Sequence, residues 1–306
     1  MQSDLPRKLT RRKFLYAGAA AIVGASALSL DGLAESYESH VVRIDIPLAR
    51  LPESFDGFTI AQLSDFHYDP HFSAVPIRKA VAIVNSLKPD LVVLTGDFVT
   101  APAISTPRSR RRAAGKAEPC AETLRALQAS IGRFAILGNH DREAGGDRVT
   151  AIVAGQGIPV LRNRSVPLER GTDRVWLVGV DDVLKGLPDL GAAIKKIPAK
   201  DTKILLAHEP DFADESSLQP IDLQLSGHSH GGQIWIPGIG APWLPPLSKK
   251  YPRGLYQVGD LTLYTNFGIG TIRLPIRINC PPEITLIKLR VGPGSSGDQK
   301  RSKQAV

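Results

Sequence analysis

The chain is nearly devoid of cysteine: Cys120 and Cys280 are the only two in 306 residues. A disulfide scaffold is therefore excluded, and at most one bridge could form in an oxidising compartment. No internal repeat sets a solenoid period. Neither a zinc-finger spacing nor a basic strand interleaved with aromatics is present, which argues against nucleic acid as a partner. What the chain does have is length: at 306 residues, roughly three-quarters of the unfolded surface is buried on folding, enough for a large core without covalent staples.

The formal charge of +8 is concentrated in three segments. Arg7, Lys8, Arg11, Arg12 and Lys13 lie at the start, Arg108, Arg110, Arg111, Arg112 and Lys116 in the middle, and Lys300, Arg301 and Lys303 at the end. Together they more than account for the excess, so the body is slightly acidic and its charge does not describe a polyanion-binding face.

Residues 1–40 are expected to be an export signal and linker. A charged start, Lys8 to Lys13, precedes a short run of Ala, Gly, Leu, Ile and Val from Tyr16 to Leu30. Arg11-Arg12 followed by Phe14-Leu15 resembles a twin-arginine signal, which implies the twin-arginine export machinery as a partner and passage across the cytoplasmic membrane after folding. Ala25-Ser26-Ala27 offers a small-residue cleavage site, with alternatives around Ala34. Retention as a membrane anchor and an ordinary cytoplasmic helix are the other readings of the run, which is short and weakly hydrophobic for a span.

From residue 41 to 291 the pattern alternates short apolar runs with amphipathic stretches. After an entry segment from Val41 to Ile46, strands are expected at Thr59 to Leu63, Leu91 to Thr95, Phe134 to Leu137, Pro159 to Leu161 and Val175 to Val178. Helices are expected at Pro76 to Leu87, near Glu122 to Ile131 and at about Arg148 to Ala154. The second half adds strands at Lys203 to Ala207, Leu223 to Ser226, Gly254 to Val258, Leu261 to Thr265 and Ile284 to Arg290, with Gly259-Asp260 closing a hairpin. Two mixed sheets packed face to face with helices outside accommodate both halves. Residues 101–119, rich in Pro, Arg, Ala and Ser, read as an exposed, flexible insertion, and residues 292–306 as a disordered basic tail.

Polar residues able to bind metal follow the apolar runs. Asp65-Phe66-His67, Gly96-Asp97, Gly138-Asn139-His140-Asp141, His208 and Gly227-His228-Ser229-His230 each end a strand, and five of the seven histidines occur at these stations. Any one could be a hydrogen-bonded turn residue. A crevice at the carboxyl ends of the strands would gather all of them.

In these five blocks, and in this order, the chain resembles the calcineurin-like metallophosphoesterase superfamily, whose fold is a four-layer α/β/β/α sandwich. Arg253-Gly254-Leu255-Tyr256, Gly268-Ile269-Gly270, Pro275-Ile276-Arg277 and Pro281-Pro282-Glu283-Ile284 narrow the resemblance to the bacterial exported phosphodiesterase branch typified by YkuE and YaeI. The resemblance implies one metal on Asp65, His67, Asp97 and His230 and a second on Asp97, Asn139, His208 and His228, with Asp97 as the bridge. Two divalent ions of Mn, Fe or Zn suit such oxygen and nitrogen donors. It further implies hydrolysis of a phosphodiester through a metal-activated hydroxide. His140 would bind phosphate or protonate the leaving group, and Asp141 would orient or charge its imidazole.

A phosphomonoesterase and a lipid-linked sugar diphosphatase share this metal chemistry, and a non-catalytic metal-stabilised envelope binding protein is a reading of another class. Arg277 would either assist phosphate recognition or anchor its own turn. The proline-broken stretch from Ile234 to Leu247, with Trp235 and Trp243, would either pack into the fold or form an interfacial rim for an envelope lipid or glycolipid whose phosphate meets Lys249, Lys250 or Arg253.

Overall fold

In the computed structural model, which describes residues 31–292, the apolar runs become internal strands whose side chains alternate between two different cores. In the strand β3, Leu91–Leu94, residues Leu91 and Val93 face one cluster while Val92 and Leu94 face another, and all four are fully buried. Burial on both faces is what a continuous apolar strand requires, and it places this strand inside a layered structure.

Eleven strands form two mixed sheets. In the first, β1 (His40–Leu48), β11 (Glu283–Val291), β2 (Thr59–Leu63), β3 and β4 (Gly132–Ala135) lie in the order β1-β11-β2-β3-β4, with β2, β3 and β4 parallel. In the second, β5 (Arg164–Arg170), β6 (Asp173–Gly179), β7 (Lys203–Leu206), β8 (Leu223–Ser226), β10 (Leu261–Thr265) and β9 (Gly254–Val258) lie in the order β5-β6-β7-β8-β10-β9. The sheets pack face to face over Phe58, Ile60, Ile204, Leu206, Leu223 and Leu225. Helices α1 (Ala74–Leu87), α2 (Pro107–Gly115), α3 (Ala117–Leu124) and α4 (Asn139–Gly155) cover the outside of the first sheet, and α5 (Leu190–Ile194) and α6 (Ala213–Ser216) that of the second. The expected α/β/β/α sandwich is the observed fold.

Four local expectations need correction. Residues 101–119 contain regular helix: Thr106 accepts the Ser109 N–H in a capping box and Pro107 opens α2. The arginine run lies on the outer side of that helix, and Ala113, Ala114, Ala117 and Cys120 pack inward. The helix expected near Glu122 to Ile131 ends by Leu124, and that expected from about Arg148 begins at Asn139, with a break at Gly145 (φ 131°). The strand at Pro159 to Leu161 is reduced to a single bridge between Ala135 and Val160. Strand β5 was not expected at all, because Pro167 argues against a ladder; it is tolerated on an edge strand.

Residues 31–40, expected as linker, are partly docked. A helical turn at residues 31–35 lies on the segment 275–280: the Arg277 N–H donates to the Gly32 carbonyl, and the Glu35 carboxylate accepts the N–H groups of Asn279 and Cys280 at 3.1 and 2.7 Å. The expected signal and the tail beyond Gly292 lie outside the described residues. Among the described residues no helix is long and apolar enough to cross a membrane. Cys120 and Cys280 are both buried and unpaired.

Candidate metal centre

Strand ends deliver the polar stations to one place. After β2 the chain continues beside the end of β3, with Asp65 N–H bonded to the Gly96 carbonyl and His67 N–H to that of Asp97, both at 3.0 Å. Phe66 is driven into the core, where it stacks on Phe98 with ring centroids 5.4 Å apart, so Asp65, His67 and Asp97 are left pointing the other way. Asp65, His67, Asp97, His228 and His230 all have positive φ, between 40° and 68°. Strain of this kind persists only where the surroundings over-determine it, and it concentrates here.

Asp97 occupies the centre. Its Oδ2 lies 3.2 Å from His208 Nε2 and 3.5 Å from His67 Nε2, while its Oδ1 accepts the His140 N–H at 2.9 Å. Asp65 Oδ1 lies 3.5 Å from His230 Nε2 and 3.9 Å from His208 Nε2. Potential donor atoms fall into the groups Asp65, His67 and His230; Asp97, His208 and His228; and His67, Asp97 and His140, each within 4.8 Å. The first two bring together three residues from each expected ligand set. Asn139 stands first in α4, buried, with its amide oxygen lacking any hydrogen-bond partner; the Nε2 atoms of His67 and His208 are likewise buried and unpartnered. Buried acceptors without donors are costly unless a cation satisfies them, so this set fits a pair of metal ions.

The outer partners set the imidazole tautomers. His208 Nδ1 donates to the Thr95 carbonyl at 2.6 Å, and since a carbonyl can only accept, the neutral form of this ring has its lone pair at Nε2. His228 is reversed: Nε2 donates to the Pro246 carbonyl at 2.8 Å, leaving Nδ1 for a ligand. His67 Nδ1 meets the Thr100 hydroxyl at 3.1 Å. Burial holds His67 and His230 well below the usual histidine range and His228 down at about 4, so these rings are neutral and can donate a lone pair at neutral pH. Burial would lower His208 too, but the Asp97 carboxylate outweighs it and raises that ring.

The remaining expected residues are placed as follows. His140 is half-exposed at the edge of the centre, and its Nδ1 accepts the Ala101 N–H at 3.0 Å. Asp141 does not face that imidazole. It turns back as the third residue of α4, where its carboxylate takes the N–H groups of Gly138 and Val99 at 3.0 and 3.1 Å. Its role is to hold the loop that carries Asn139 and His140. Lys250 pairs with Asp214 at the exposed surface and Lys249 is exposed. Arg253 is half-buried, its guanidinium 4.4 Å from the Trp235 ring and 4.5 Å from that of Phe267.

Arg277 is fully buried and bonds the carbonyls of Phe267, Gly268, Gly270 and Cys280, with Nη2 3.4 Å from His230 Nδ1. Of its two readings, the turn anchor is the one seen. Burial pulls its guanidinium down to about 10, so it keeps its charge at neutral pH. Arg277→Met is expected to lower stability by on the order of 3 kcal/mol in urea unfolding, since several buried carbonyls lose their donor together. Unchanged stability would show that the loop is held by other means. The outer partners Thr95, Pro246 and Ala101 act through backbone groups and leave no sequence signal, whereas Thr100, three residues after Asp97, could have been suspected from its position.

The family model for calcineurin-like phosphoesterases matches residues 58–232, which contain every one of these metal-facing residues. The chain belongs to this family. The phosphoesterase is 34% identical to the metallophosphoesterase YkuE of Bacillus subtilis (strain 168), over 93% of this chain and 99% of that protein. It is 31% identical to the phosphodiesterase YaeI of Escherichia coli (strain K12), over 92% and 99% respectively. A transmembrane protein with a metallophosphoesterase domain from Danio rerio is 32% identical over 88% of this chain and 62% of its own length.

Proposed function

We propose that this phosphoesterase hydrolyses a phosphodiester carried by an envelope lipid or glycolipid, after export by the twin-arginine machinery to the outer side of the cytoplasmic membrane. The observation that carries the reaction class is the Asp97 carboxylate, one oxygen of which lies within 3.5 Å of imidazole nitrogens from both ligand groups. The name of YaeI, a phosphodiesterase aligned over nearly its whole length, supports the diester. The arginine pair Arg11-Arg12 supports the export route.

Asp65, His67, Asp97 and His230 would hold one divalent ion and Asp97, Asn139, His208 and His228 the other, with Mn, Fe or Zn suited to the donors. Such ions supply positive charge for the phosphoryl oxygens and acidify the attacking water. The chain's own contribution is geometry and proton placement. Asp97 would offset the repulsion between two cations, and Thr95 and Pro246 fix which nitrogen His208 and His228 present. Because the Ala101 N–H occupies Nδ1 of His140, the neutral ring carries its proton on Nε2. His140 is thus a donor toward a phosphoryl oxygen or the departing alkoxide.

His140→Ala is expected to lower kcat by about 10²- to 10⁴-fold while both metals are retained. Metal analysis alongside single-turnover hydrolysis checks this; undiminished turnover would remove His140 from the reaction. Substrate class is tested by comparing bis(para-nitrophenyl) phosphate with para-nitrophenyl phosphate on metal-replete protein. A strong monoester preference would overturn the diester reading.

A further inference from the structure

Five exposed apolar side chains lie on two joined loops that reach the metal centre. Ile236, Ile239, Trp243 and Leu247 project from residues 233–250 and Leu274 from residues 271–280, with Ile239 78%, Trp243 55% and Leu274 56% exposed. Gln233 ties the loops by donating to the carbonyls of Ile272 and Leu274 and accepting the Ile272 N–H. The Arg273 guanidinium lies 5.5 Å from the Trp243 ring. These loops also reach the metal centre, through the bond between Pro246 and His228 and through Arg277 beside His230.

Charge on the loops has one sign. Residues 233–259 and 267–282 contain no Asp or Glu, whereas Lys249 and Arg273 are exposed there. The path of the chain adds an independent argument. The turn at residues 31–35 is pinned to the segment 275–280 by Gly32 and Glu35, and in the sequence the apolar run from Tyr16 to Leu30 immediately precedes that turn.

We propose that this face is a docking surface for an anionic phospholipid bilayer, with Ile239, Trp243 and Leu274 entering the interface and Arg273 and Lys249 meeting head-group phosphates. Tryptophan beside arginine on proline-broken loops suits the boundary between water and hydrocarbon, where an aromatic ring is half-wetted and a cation finds phosphate. The amphipathic arrangement follows the rule for surface-bound proteins, where affinity grows with apolar area and anionic lipid. The proposal does not rest on the diester reading, because binding is read without turnover.

The test uses the full chain with vesicles of phosphatidylglycerol and phosphatidylcholine, or of phosphatidylcholine alone, containing brominated acyl chains. Residues 1–30 hold no tryptophan, Trp176 on β6 is half-buried and bonds Asp201, and Trp235, half-buried against Arg253, is the loop background that Trp243→Phe leaves in place. Quenching of Trp243 is expected on the anionic vesicles, and its loss in Trp243→Phe. The combined variant Ile239→Ser, Trp243→Ser, Leu274→Ser is expected to bind at least ~10-fold more weakly, and Arg273→Glu to erase the preference for anionic lipid, with hydrolysis of a soluble diester unchanged in both. Three outcomes would overturn the proposal: no association with vesicles, association with Trp243 unquenched, or a self-association in sedimentation that the combined variant abolishes, which would assign the face to a second copy of the chain.

Discussion

Asp97→Ala is expected to bind neither metal ion stoichiometrically and to lose at least ~10³-fold in turnover, about 4 kcal/mol of transition-state stabilisation. No other side chain approaches both ligand groups so closely: its Oδ2 lies 3.2 Å from His208 Nε2 and 3.5 Å from His67 Nε2. The carboxylate is also structural, because Oδ1 takes the N–H of His140 and so positions the start of α4. Two dications held in one buried site would repel strongly, and a carboxylate within reach of both ligand groups would make double occupancy tolerable. Asp97→Asn separates the two functions, keeping the shape and removing the charge. It should leave the fold intact by circular dichroism while metal content falls. Full metal content with normal turnover in either variant would refute the shared-ligand arrangement.

Gly227→Ala should be almost as damaging, although glycine has no chemistry of its own. A methyl group at this position would overlap Ser64 Oγ and Asp65 Oδ2. Neither can retreat cheaply, since both sit at the rigid end of β2 and the Asp65 carboxylate accepts the His228 N–H at 3.0 Å. Relief requires the strand ends to part, and they carry ligands of both groups. Turnover should fall by at least ~10²-fold, with metal affinity down and the melting temperature lowered by several degrees, as a ~1–3 kcal/mol overpacking would give. Gly115→Ala, where nothing lies within 4 Å, provides the control and should change little. Wild-type metal affinity in Gly227→Ala would mean that the ligands do not depend on this close approach.

These two residues also mark what a sequence can and cannot reveal. The strands carrying the centre were legible because each is a short stretch rich in apolar residues that is soon followed by a metal-binding side chain. Leu91 to Leu94 followed by Gly96-Asp97 is the clearest example. The helix α2 was hidden because its buried face consists of Ala113 and Ala114, too small to give an apolar period against four arginines. Asp141 was misassigned for a different reason. Adjacency in sequence suggested contact with His140, yet successive residues at a helix start point in different directions, and a carboxylate at the third position folds back onto the free N–H groups. The outer carbonyls of Thr95 and Pro246 could not be found by any residue pattern, because every residue has a carbonyl.

The contact of Gly32 and Glu35 with the segment 275–280 bears on maturation. Of the cleavage sites that an export signal is expected to offer, Ala25-Ser26-Ala27 precedes the contact and Ala34 lies inside it. A cut at the earlier place would leave the folded body whole. A cut at the later one would strip Gly32 from Arg277 and, with it, one fastening of the loop beside His230, so the body itself would punish imprecise trimming.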